Sequence, residues 1–341
     1  MHDLAKVSRI ESIRPIEGKD RIEMAKVENY NTIIAKGEYN VGDTIVYVFY
    51  DAILPADNPD FEFLRARCYS SKYDGYRIKP MKMGGEISEG LVLPLSVLPK
   101  GKEYKLGDII TDDLRIKRYE IFERIPSEVV GGYPPGISKS DEDNIEKVIC
   151  YYPKWKDIEF YVTEKVEGSA ATWIYEKEND AFRTFSHNWE VGDTGLWYDA
   201  AINNNLKEKM ALYCLNHNFN TLVLQGEVIG PLVQKNVYNS SKNDLYIYGM
   251  MSIDGQRSSF RELKDACLEM NIKMVPIISE SRFMSDSIDT LLAEADGKSV
   301  IYNVPREGLV WRATSRDIDV HFKVKSRPYK IWFEKKSVLW L

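Results

Sequence analysis

The sequence predicts a two-domain α+β protein, and three features along the chain support that class. The first hundred residues contain short β-branched and aromatic runs that are separated by turn signals. The next distinctive stretch, residues 126–149, is rich in Pro, Gly and charge. After residue 150, strand-like and helix-like patterns alternate. We therefore expect domains at residues 1–125 and 150–341, joined by a linker and short helix at residues 126–149.

The N-terminal half is predicted to be a small barrel or sandwich. The runs KVSRIESI, RIEMAKVE and DTIVYVFY are typical of short strands, and turn signals at Gly18 and Gly42 separate them. Further on, RIKPMKMGGEISEGLVLPL combines a basic strand, a glycine turn and an apolar strand. Short strands at regular spacing, without a long helical period, favour this architecture.

The C-terminal half is predicted to mix strands and helices. The linker should lead into a short helix that begins near Ser140, with Asp141 and Glu142 in its first turn. The expected strands after it are DIEFYVTEKV, NTLVLQGEVI, DLYIYGMM, EGLVWRA and VHFKVKS, and the expected helices are LKEKMALYCLNH and SFRELKDACLEM.

Composition and charge exclude several classes of protein. The net charge of −6 argues against a protein that coats nucleic acid by bulk charge, so nucleic-acid binding would need a local basic patch. The cysteines and histidines lie far apart, without zinc-type spacing. No apolar run resembles a signal peptide or a membrane span, so we expect a cytoplasmic protein. Six basic residues in the first domain form either a nucleic-acid patch or an ordinary solvated face: Arg65, Arg67, Lys72, Arg77, Lys79 and Lys82.

Charged residues beside apolar strand sequence mark a candidate active site, because such charges are costly unless they meet a ligand or each other. A lysine that attacks a nucleotide phosphate must first lose its proton. Carboxylates can hold the water shell of a metal ion there, and further lysines can stabilise the phosphate oxygens. The sequence contains one candidate nucleophile, three carboxylates and two lysines on one strand face: Lys165, then Glu167, Glu227 and Glu307, then Lys323 and Lys325.

Five strings in the second domain resemble, in order, the motifs of the covalent nucleotidyltransferases, the superfamily of ATP-dependent ligases and capping enzymes. They are TEKVEGS, LQGEVIG, DLYIYGM, EGLVWR and HFKVKS. The resemblance implies that Lys165 forms a lysyl-AMP and that ATP is the substrate, with Mg²⁺ or Mn²⁺ as cofactor. It also implies adenine contacts for Glu164 and stacking for Tyr248, for which Tyr246 is the competitor. It further implies phosphate contacts for Lys323 and Lys325, and metal-bound waters on Glu167, Glu227 and Glu307.

The first half of the chain resembles the OB-fold domain of one RNA ligase family that carries this domain before the nucleotidyltransferase domain. The expected fold is therefore an N-terminal OB-like β-barrel followed by a nucleotidyltransferase domain of antiparallel sheets flanked by helices. The implied activity is sealing of 3′-OH and 5′-phosphate RNA ends, with a nicked duplex as one candidate substrate, by a monomeric repair enzyme without a membrane partner.

Three positions depart from that family pattern. Glu167 stands where aspartate is commoner, so its carboxylate reaches one methylene further. His187, in FSHNW, stands where an arginine or lysine is usual and is expected to contact the nucleotide. Asn144 stands where the family has an arginine on the ATP phosphates, so either Lys147 substitutes or that contact is lost.

Two other readings stay open on the sequence alone. The protein could be a DNA ligase or a GTP-using capping enzyme, although only 16 residues follow Lys325, whereas those enzymes usually carry an OB domain there. It could also be a non-catalytic RNA-binding protein, because IEGKDRIEMAKVE loosely resembles OB-type tRNA-binding domains. The intact set of lysines and glutamates favours an enzyme.

Overall fold

The structure is a computed structural model that describes residues 3–119, 128–139, 142–251, 256–285 and 287–336. The chain divides into two compact units, Met1–Glu123 and Arg124–Leu341. Among the described residues, no helix combines the length and the apolar character needed to cross a membrane.

The N-terminal unit is built on a strongly bent antiparallel sheet, as the sequence predicts. Its first strand pairs with one neighbouring strand through residues 5–9 and with a second through residues 10–15. A bulge lies in the second pairing, between Ile10 and Ser12. The order in this sheet is β10-β4-β1-β2-β3, with a second sheet ordered β11-β5-β7-β6 and a β8-β9 hairpin. The strands are β1 (Ala5–Pro15), β2 (Ile22–Val27), β3 (Tyr30–Ala35), β4 (Thr44–Val48), β5 (Ala52–Pro55), β6 (Tyr69–Ser70), β7 (Gly75–Arg77), β8 (Met81–Met83), β9 (Glu86–Ser88), β10 (Leu91–Leu93) and β11 (Lys117–Arg118).

Apolar residues fill the unit on both sides of its main sheet. Val7, Val46 and Val48 join Leu54 in one core, and Ile10 belongs to the other. Because successive side chains of β1 point to opposite faces, its apolar residues pack into two different cores. The strand therefore lacks one apolar and one polar face. Short helices complete the unit: α1 (Arg65–Cys68) and the 3₁₀ helices Pro59–Leu64 and Leu95–Val97.

The C-terminal unit contains two sheets, as expected of a mixed domain. The larger is antiparallel with the order β12-β17-β16-β15-β18-β19, and the smaller has the order β13-β22-β21-β14-β20. The strands are β12 (Val129–Gly132), β13 (Asp143–Asn144), β14 (Phe160–Lys165), β15 (Ser169–Glu176), β16 (Ala181–Phe185), β17 (Trp189–Val191), β18 (Thr221–Ile229), β19 (Asp244–Met251), β20 (Ile277–Arg282), β21 (Gly308–Ala313) and β22 (His321–Lys325).

Helices cover the outer surfaces of these sheets. They are α2 (Tyr152–Trp155), α3 (Leu196–Asn203), α4 (Leu206–Asn216), α5 (Phe260–Glu269), α6 (Ile288–Ala295) and α7 (Arg327–Lys335), with a 3₁₀ helix at Ile149–Tyr151. The two helices and five strands that the sequence predicts in this half are all present, as α4 and α5 and as β14, β18, β19, β21 and β22.

The short helix predicted to begin near Ser140 is not found where the chain is described. Ser140 and Asp141 lie outside the described residues. Beyond them, β13 pairs in parallel with β22, and Asn144 is the register partner of Lys323. The helical signal came from acidic residues, but Glu142 instead pairs with Arg312 inside the unit. The stretch 126–149 therefore supplies an edge strand to each sheet, β12 and β13.

Strand alternation gives the smaller sheet one apolar face and one polar face. Phe160, Val162, Leu309, Trp311 and Phe322 lie in a buried apolar cluster. The intervening residues of β14, β21 and β22 are register partners on the opposite face. That polar face carries Tyr161, Thr163, Lys165, Val310, Arg312, His321, Lys323 and Lys325.

Candidate active site

Lys165, the last residue of β14, is held by Glu307, the residue immediately before β21. The ammonium donates to both carboxylate oxygens, with Nζ–O distances of 2.8 and 2.9 Å. Burial disfavours the ammonium form, but the surrounding carboxylates outweigh burial and raise the pKa of Lys165. In the free protein this lysine is therefore a fully charged ammonium.

Glycines bring the charged residues together. A Cβ on Gly168 would lie 2.5 Å from the Val228 oxygen and 2.6 Å from Cγ of Glu227. A Cβ on Gly308 would lie 2.2 Å from the Val324 oxygen. Only a residue without a side chain permits these approaches, which explains why Gly168 follows Glu167 and Gly308 follows Glu307.

Glu167 is fixed by two tyrosines. Its backbone N–H donates to the hydroxyl of Tyr238 at 2.9 Å, and its Oε2 accepts from the hydroxyl of Tyr329 at 2.8 Å. Burial and the charge of Glu307 raise the pKa of Glu167 to about 7, although Lys165 opposes the shift. Glu167 is thus a buried carboxylate with a defined orientation.

Glu227, on β18, completes a cluster of three carboxylates around Lys165. Burial raises its pKa to about 8, opposed by Lys165 and reinforced by Glu307 and Glu167. Burial is the largest cause of this shift, and the neighbouring carboxylates add to it. A bound cation would favour the ionised form of Glu227.

The two lysines of β22 lie on one face of that strand, as predicted, and the sheet register places Lys165 on the same face. Burial, together with Lys165 and Lys325, lowers the pKa of Lys323 to about 8. Burial also lowers the pKa of Lys325, which lies among the charges of Glu307, Lys165 and Lys330. Buried lysines of this kind become fully charged when an anion such as phosphate binds beside them.

The carboxylate cluster suits a hydrated divalent cation. Hard cations prefer carboxylate oxygens, and Glu167, Glu227 and Glu307 supply three carboxylates around Lys165. Within the described part of the chain, no three His, Cys, Asp or Glu side chains are grouped closely enough to ligate a metal directly. Contact with a metal through water stays a prediction.

Tyr248 faces the polar side of the smaller sheet. The guanidinium of Arg312 lies 5.3 Å from its ring centroid. Tyr248 is the extra residue at a bulge, because Gly226 pairs with Ile247 whereas Gln225 pairs with Gly249. Its competitor Tyr246 lies instead opposite Glu227, with Lys273 over its ring. Stacking on adenine stays a prediction for Tyr248.

Arg312 and Glu142 form a buried ion pair in this region. The Arg312 guanidinium donates to Glu142, and both side chains are about nine-tenths buried, at 9% and 10% exposed. Burial works against the charged form, but Arg312 outweighs it and lowers the pKa of Glu142. The pair ties the segment before β13 to β21.

The side chain of Glu164 lies on the opposite face of β14 from Lys165, because neighbouring residues of a strand alternate. It is 1% exposed, and its Oε2 accepts from the backbone N–H of Val300 at 2.8 Å. The adenine contact predicted for Glu164 would therefore have to come from its main chain.

The other positions that concern the departures from the family pattern, Asn144, Lys147 and His187, lie in different parts of the C-terminal unit. Asn144 is buried beside Lys323 in the register, and its amide donates to Glu146 at 3.0 Å. Lys147 is exposed. His187 lies between β16 and β17, in the larger sheet. Nucleotide contacts for His187 and Lys147 stay predictions.

The predicted basic patch of the N-terminal unit is only partly one surface. Arg77 on β7 stacks on Tyr119 at 3.5 Å, and Lys72 lies over Tyr73. Arg65 lies over Tyr69. Lys82 lies on the separate β8-β9 hairpin. Interleaved cations and tyrosines are typical of nucleic-acid surfaces, but RNA binding here stays a prediction.

Sequence reasoning missed Tyr238, Tyr329 and the Glu142–Arg312 pair. Tyr238 lies in a loop after β18 and Tyr329 lies on α7, so each reaches the site only through tertiary packing. The string TEKVEGS gives no sign of either tyrosine. Glu142 lies in a stretch that reads as a solvated helix start.

We expect Glu227→Gln to stabilise the metal-free protein at high pH. The folded pKa of about 8 lies above the ordinary value of 4.5, so the neutral carboxyl contributes stability below about pH 4 that is lost as pH rises toward 8. Glutamine cannot ionise and avoids this loss, which is roughly 3 kcal/mol between pH 6 and pH 9. Denaturant unfolding at pH 6 and pH 9 with a chelator measures the difference.

The exposed Glu178→Gln variant is the matched control, because its side chain faces solvent. It should follow the wild type at both pH values. An unchanged pH dependence in Glu227→Gln would contradict the prediction.

Comparisons with known proteins match both halves of the chain. A family model described as an OB-fold domain matches residues 4–95, and one described as RNA ligase matches residues 158–330. Solved structures of an RNA ligase from Naegleria gruberi match nearly the whole chain. A variant solved with AMP and Mn is 30% identical, with a TM-score of 0.80, covering 96% of this chain and 98% of that chain.

Two further structures of that ligase agree. One variant solved with ATP and Mn is 30% identical, with a TM-score of 0.77 and 98% of each chain covered. The structure with pyrophosphate is 29% identical, with a TM-score of 0.80, covering 96% of this chain and 98% of that chain. The search of curated proteins found no match.

The fold and the lysine–carboxylate site define a covalent nucleotidyltransferase with an N-terminal OB-fold domain. Within that class, the chain belongs to the RNA ligase family. The expected fold class, an OB-like barrel followed by antiparallel sheets flanked by helices, is confirmed.

Proposed function

We propose that this RNA ligase uses ATP to seal 3′-OH and 5′-phosphate RNA ends through an AMP carried on Lys165. The observation that carries the proposal is the buried contact of Lys165 with Glu307, which lies among two further carboxylates and two lysines. The Naegleria ligase structures with ATP, AMP and pyrophosphate support the choice of nucleotide.

In the first step, Nζ of Lys165 attacks the α-phosphorus of ATP, and the bond to the β-phosphate breaks to release pyrophosphate. Glu307 touches Nζ and is positioned to take its proton. Lys323 and Lys325 stabilise the phosphate oxygens, where negative charge develops. A divalent cation held through water by Glu167, Glu227 and Glu307 would supply further charge neutralisation.

The remaining steps return the lysine to its starting state. An oxygen of the RNA 5′-phosphate attacks the phosphorus of AMP, the P–N bond breaks, and Lys165 regains its proton. The 3′-OH then attacks the activated 5′-phosphorus, which releases AMP and closes the strand. The sealed RNA contains no part of the nucleotide, because AMP is the leaving group of the last step.

Labelled nucleotides test this proposal most directly. Incubation with α-labelled ATP should leave a covalent label on the protein, which acid treatment removes because a phosphoramidate bond is acid-labile. Equal labelling by GTP would favour the capping-enzyme alternative. A folded protein that takes up neither label would favour the non-catalytic RNA-binding alternative.

We expect sealing to require RNA on the 3′-OH side of the break. A contact to the 2′-OH is how proteins distinguish RNA from DNA at one position, and one lost hydrogen bond costs about 1 kcal/mol, or about fivefold in rate. Sealing rates should be compared for nicks that differ only in the sugar of the last 3′-side nucleotides. Equal rates for the all-DNA nick would favour the DNA-ligase alternative.

Several further expectations from the sequence belong to this proposal. They include the boundaries of the domains at residues 1–125 and 150–341, a role in RNA repair, a monomeric state and a cytoplasmic location. Sedimentation of the purified chain would check the monomeric state, and cell fractionation would check the location.

A further inference from the structure

Glu167 is held at both its ends by buried hydroxyls. Tyr238 accepts from its backbone N–H at 2.9 Å, and Tyr329 donates to its carboxylate at 2.8 Å. The two tyrosines are 6% and 3% exposed. A buried tyrosine hydroxyl needs a polar partner, so each of these two contacts satisfies both of its members.

Tyr329 is itself rigidly placed by the start of α7. Its backbone N–H donates to the Ser326 side chain at 3.2 Å, which caps the helix. The N–H of Ser326 donates to the backbone oxygen of Glu307 at 2.8 Å. The start of α7 therefore connects two of the three carboxylates that surround Lys165.

The other end of α7 is tied to the loop that carries Tyr238. Lys235 donates to the backbone oxygen of Phe333 at 2.5 Å, and its ammonium lies 4.2 Å from the Phe333 ring centroid. Tyr329 packs against the same ring, with centroids 5.6 Å apart. The two tyrosines thus belong to one packed assembly.

We propose that Tyr329 and Tyr238 are positioning residues that hold Glu167 in place beside Lys165, Tyr238 through the backbone N–H and Tyr329 through the carboxylate, and that Tyr329 fits this site to a glutamate. The inference rests on the proposed function. An aspartate at position 167, where the family more often has one, would be one methylene shorter and would leave the Tyr329 hydroxyl without this acceptor. The longer side chain and Tyr329 are therefore matched to each other.

The first test is Tyr329→Phe, which removes one hydroxyl and keeps the ring. The rate constant for adenylation of Lys165 should fall about tenfold, as expected for loss of one hydrogen bond to a charged group. The apparent affinity for ATP should stay within about twofold, because the hydroxyl contacts Glu167 and not the nucleotide. Tyr238→Phe should act in the same direction.

The matched control is Tyr175→Phe, which removes another hydroxyl from the same unit. The Tyr175 hydroxyl donates to Asp180 at 3.1 Å, outside the site. Its adenylation rate should equal that of the wild type. Thermal melting of all variants separates a positioning effect from a loss of folded protein.

The decisive test adds Glu167→Asp. Because aspartate cannot reach Tyr329, the double variant Glu167→Asp/Tyr329→Phe should be no slower than Glu167→Asp alone. A Tyr329→Phe variant with wild-type rates would overturn the inference, as would an equal tenfold loss in both backgrounds, which would indicate a general structural role. A wild-type protein that forms no adduct would instead refute the proposed function.

Discussion

Replacing Lys165 with alanine will abolish the covalent AMP adduct, with a loss of at least about a thousandfold in the rate of adenylation. In the structure, Lys165 is the amine that Glu307 contacts and that two further carboxylates surround. The measurement is transfer of label from α-labelled ATP to the purified protein. The same variant should still seal a nick that already carries AMP on its 5′-phosphate, because that step does not need the lysine.

Lys165→Arg is the matched variant for this prediction. Arginine keeps the positive charge and can pair with Glu307, but its guanidinium stays protonated and cannot attack phosphorus. It should therefore match the wild type in stability and Lys165→Ala in adduct formation. Adduct formation by either variant would show that another residue is the nucleophile.

Replacing Arg312 with methionine will destabilise the protein by about 3–5 kcal/mol, since it leaves the buried Glu142 carboxylate without its partner. Both side chains of the pair are about nine-tenths buried. Denaturant unfolding at neutral pH measures the loss. The double variant Arg312→Met/Glu142→Gln should recover part of it, because no unpaired charge then remains.

The control for this prediction is Arg261→Met. Arg261 faces Asp265 across one turn of α5 with both side chains exposed, and such pairs contribute less than about 1 kcal/mol. If Arg312→Met and Arg261→Met had similar effects, the Arg312–Glu142 pair would not stabilise the C-terminal unit.

The strands that carry the chemistry could be predicted from the sequence because each has a strong local pattern. In β22, HFKVK, apolar residues alternate with basic ones, so Lys323 and Lys325 fall on one face as period-two spacing requires. β14 (FYVTEK) and β21 (GLVWRA) are instead short runs rich in β-branched and aromatic residues, which predict strands without defining a polar face.

What the sequence could not predict depends on distant parts of the chain. The bulge at Tyr248 arises from pairing between β18 and β19, and no local signal marks it. The residues after Ser140 have helix-start chemistry, yet pairing with β22 outweighs that local preference.

The contact between Lys165 and Glu307 also affects how Lys165 reacts with small electrophilic metabolites. An ammonium that is bound to both oxygens of a carboxylate has no free electron pair, so acylating and carbamylating compounds find no nucleophile there. The lysine becomes reactive only when a proton leaves Nζ, and Glu307 is the group positioned to take it. In the protein without nucleotide, the amine of Lys165 is therefore protected by its contact with Glu307. The enzyme discriminates against such compounds before it binds any nucleotide.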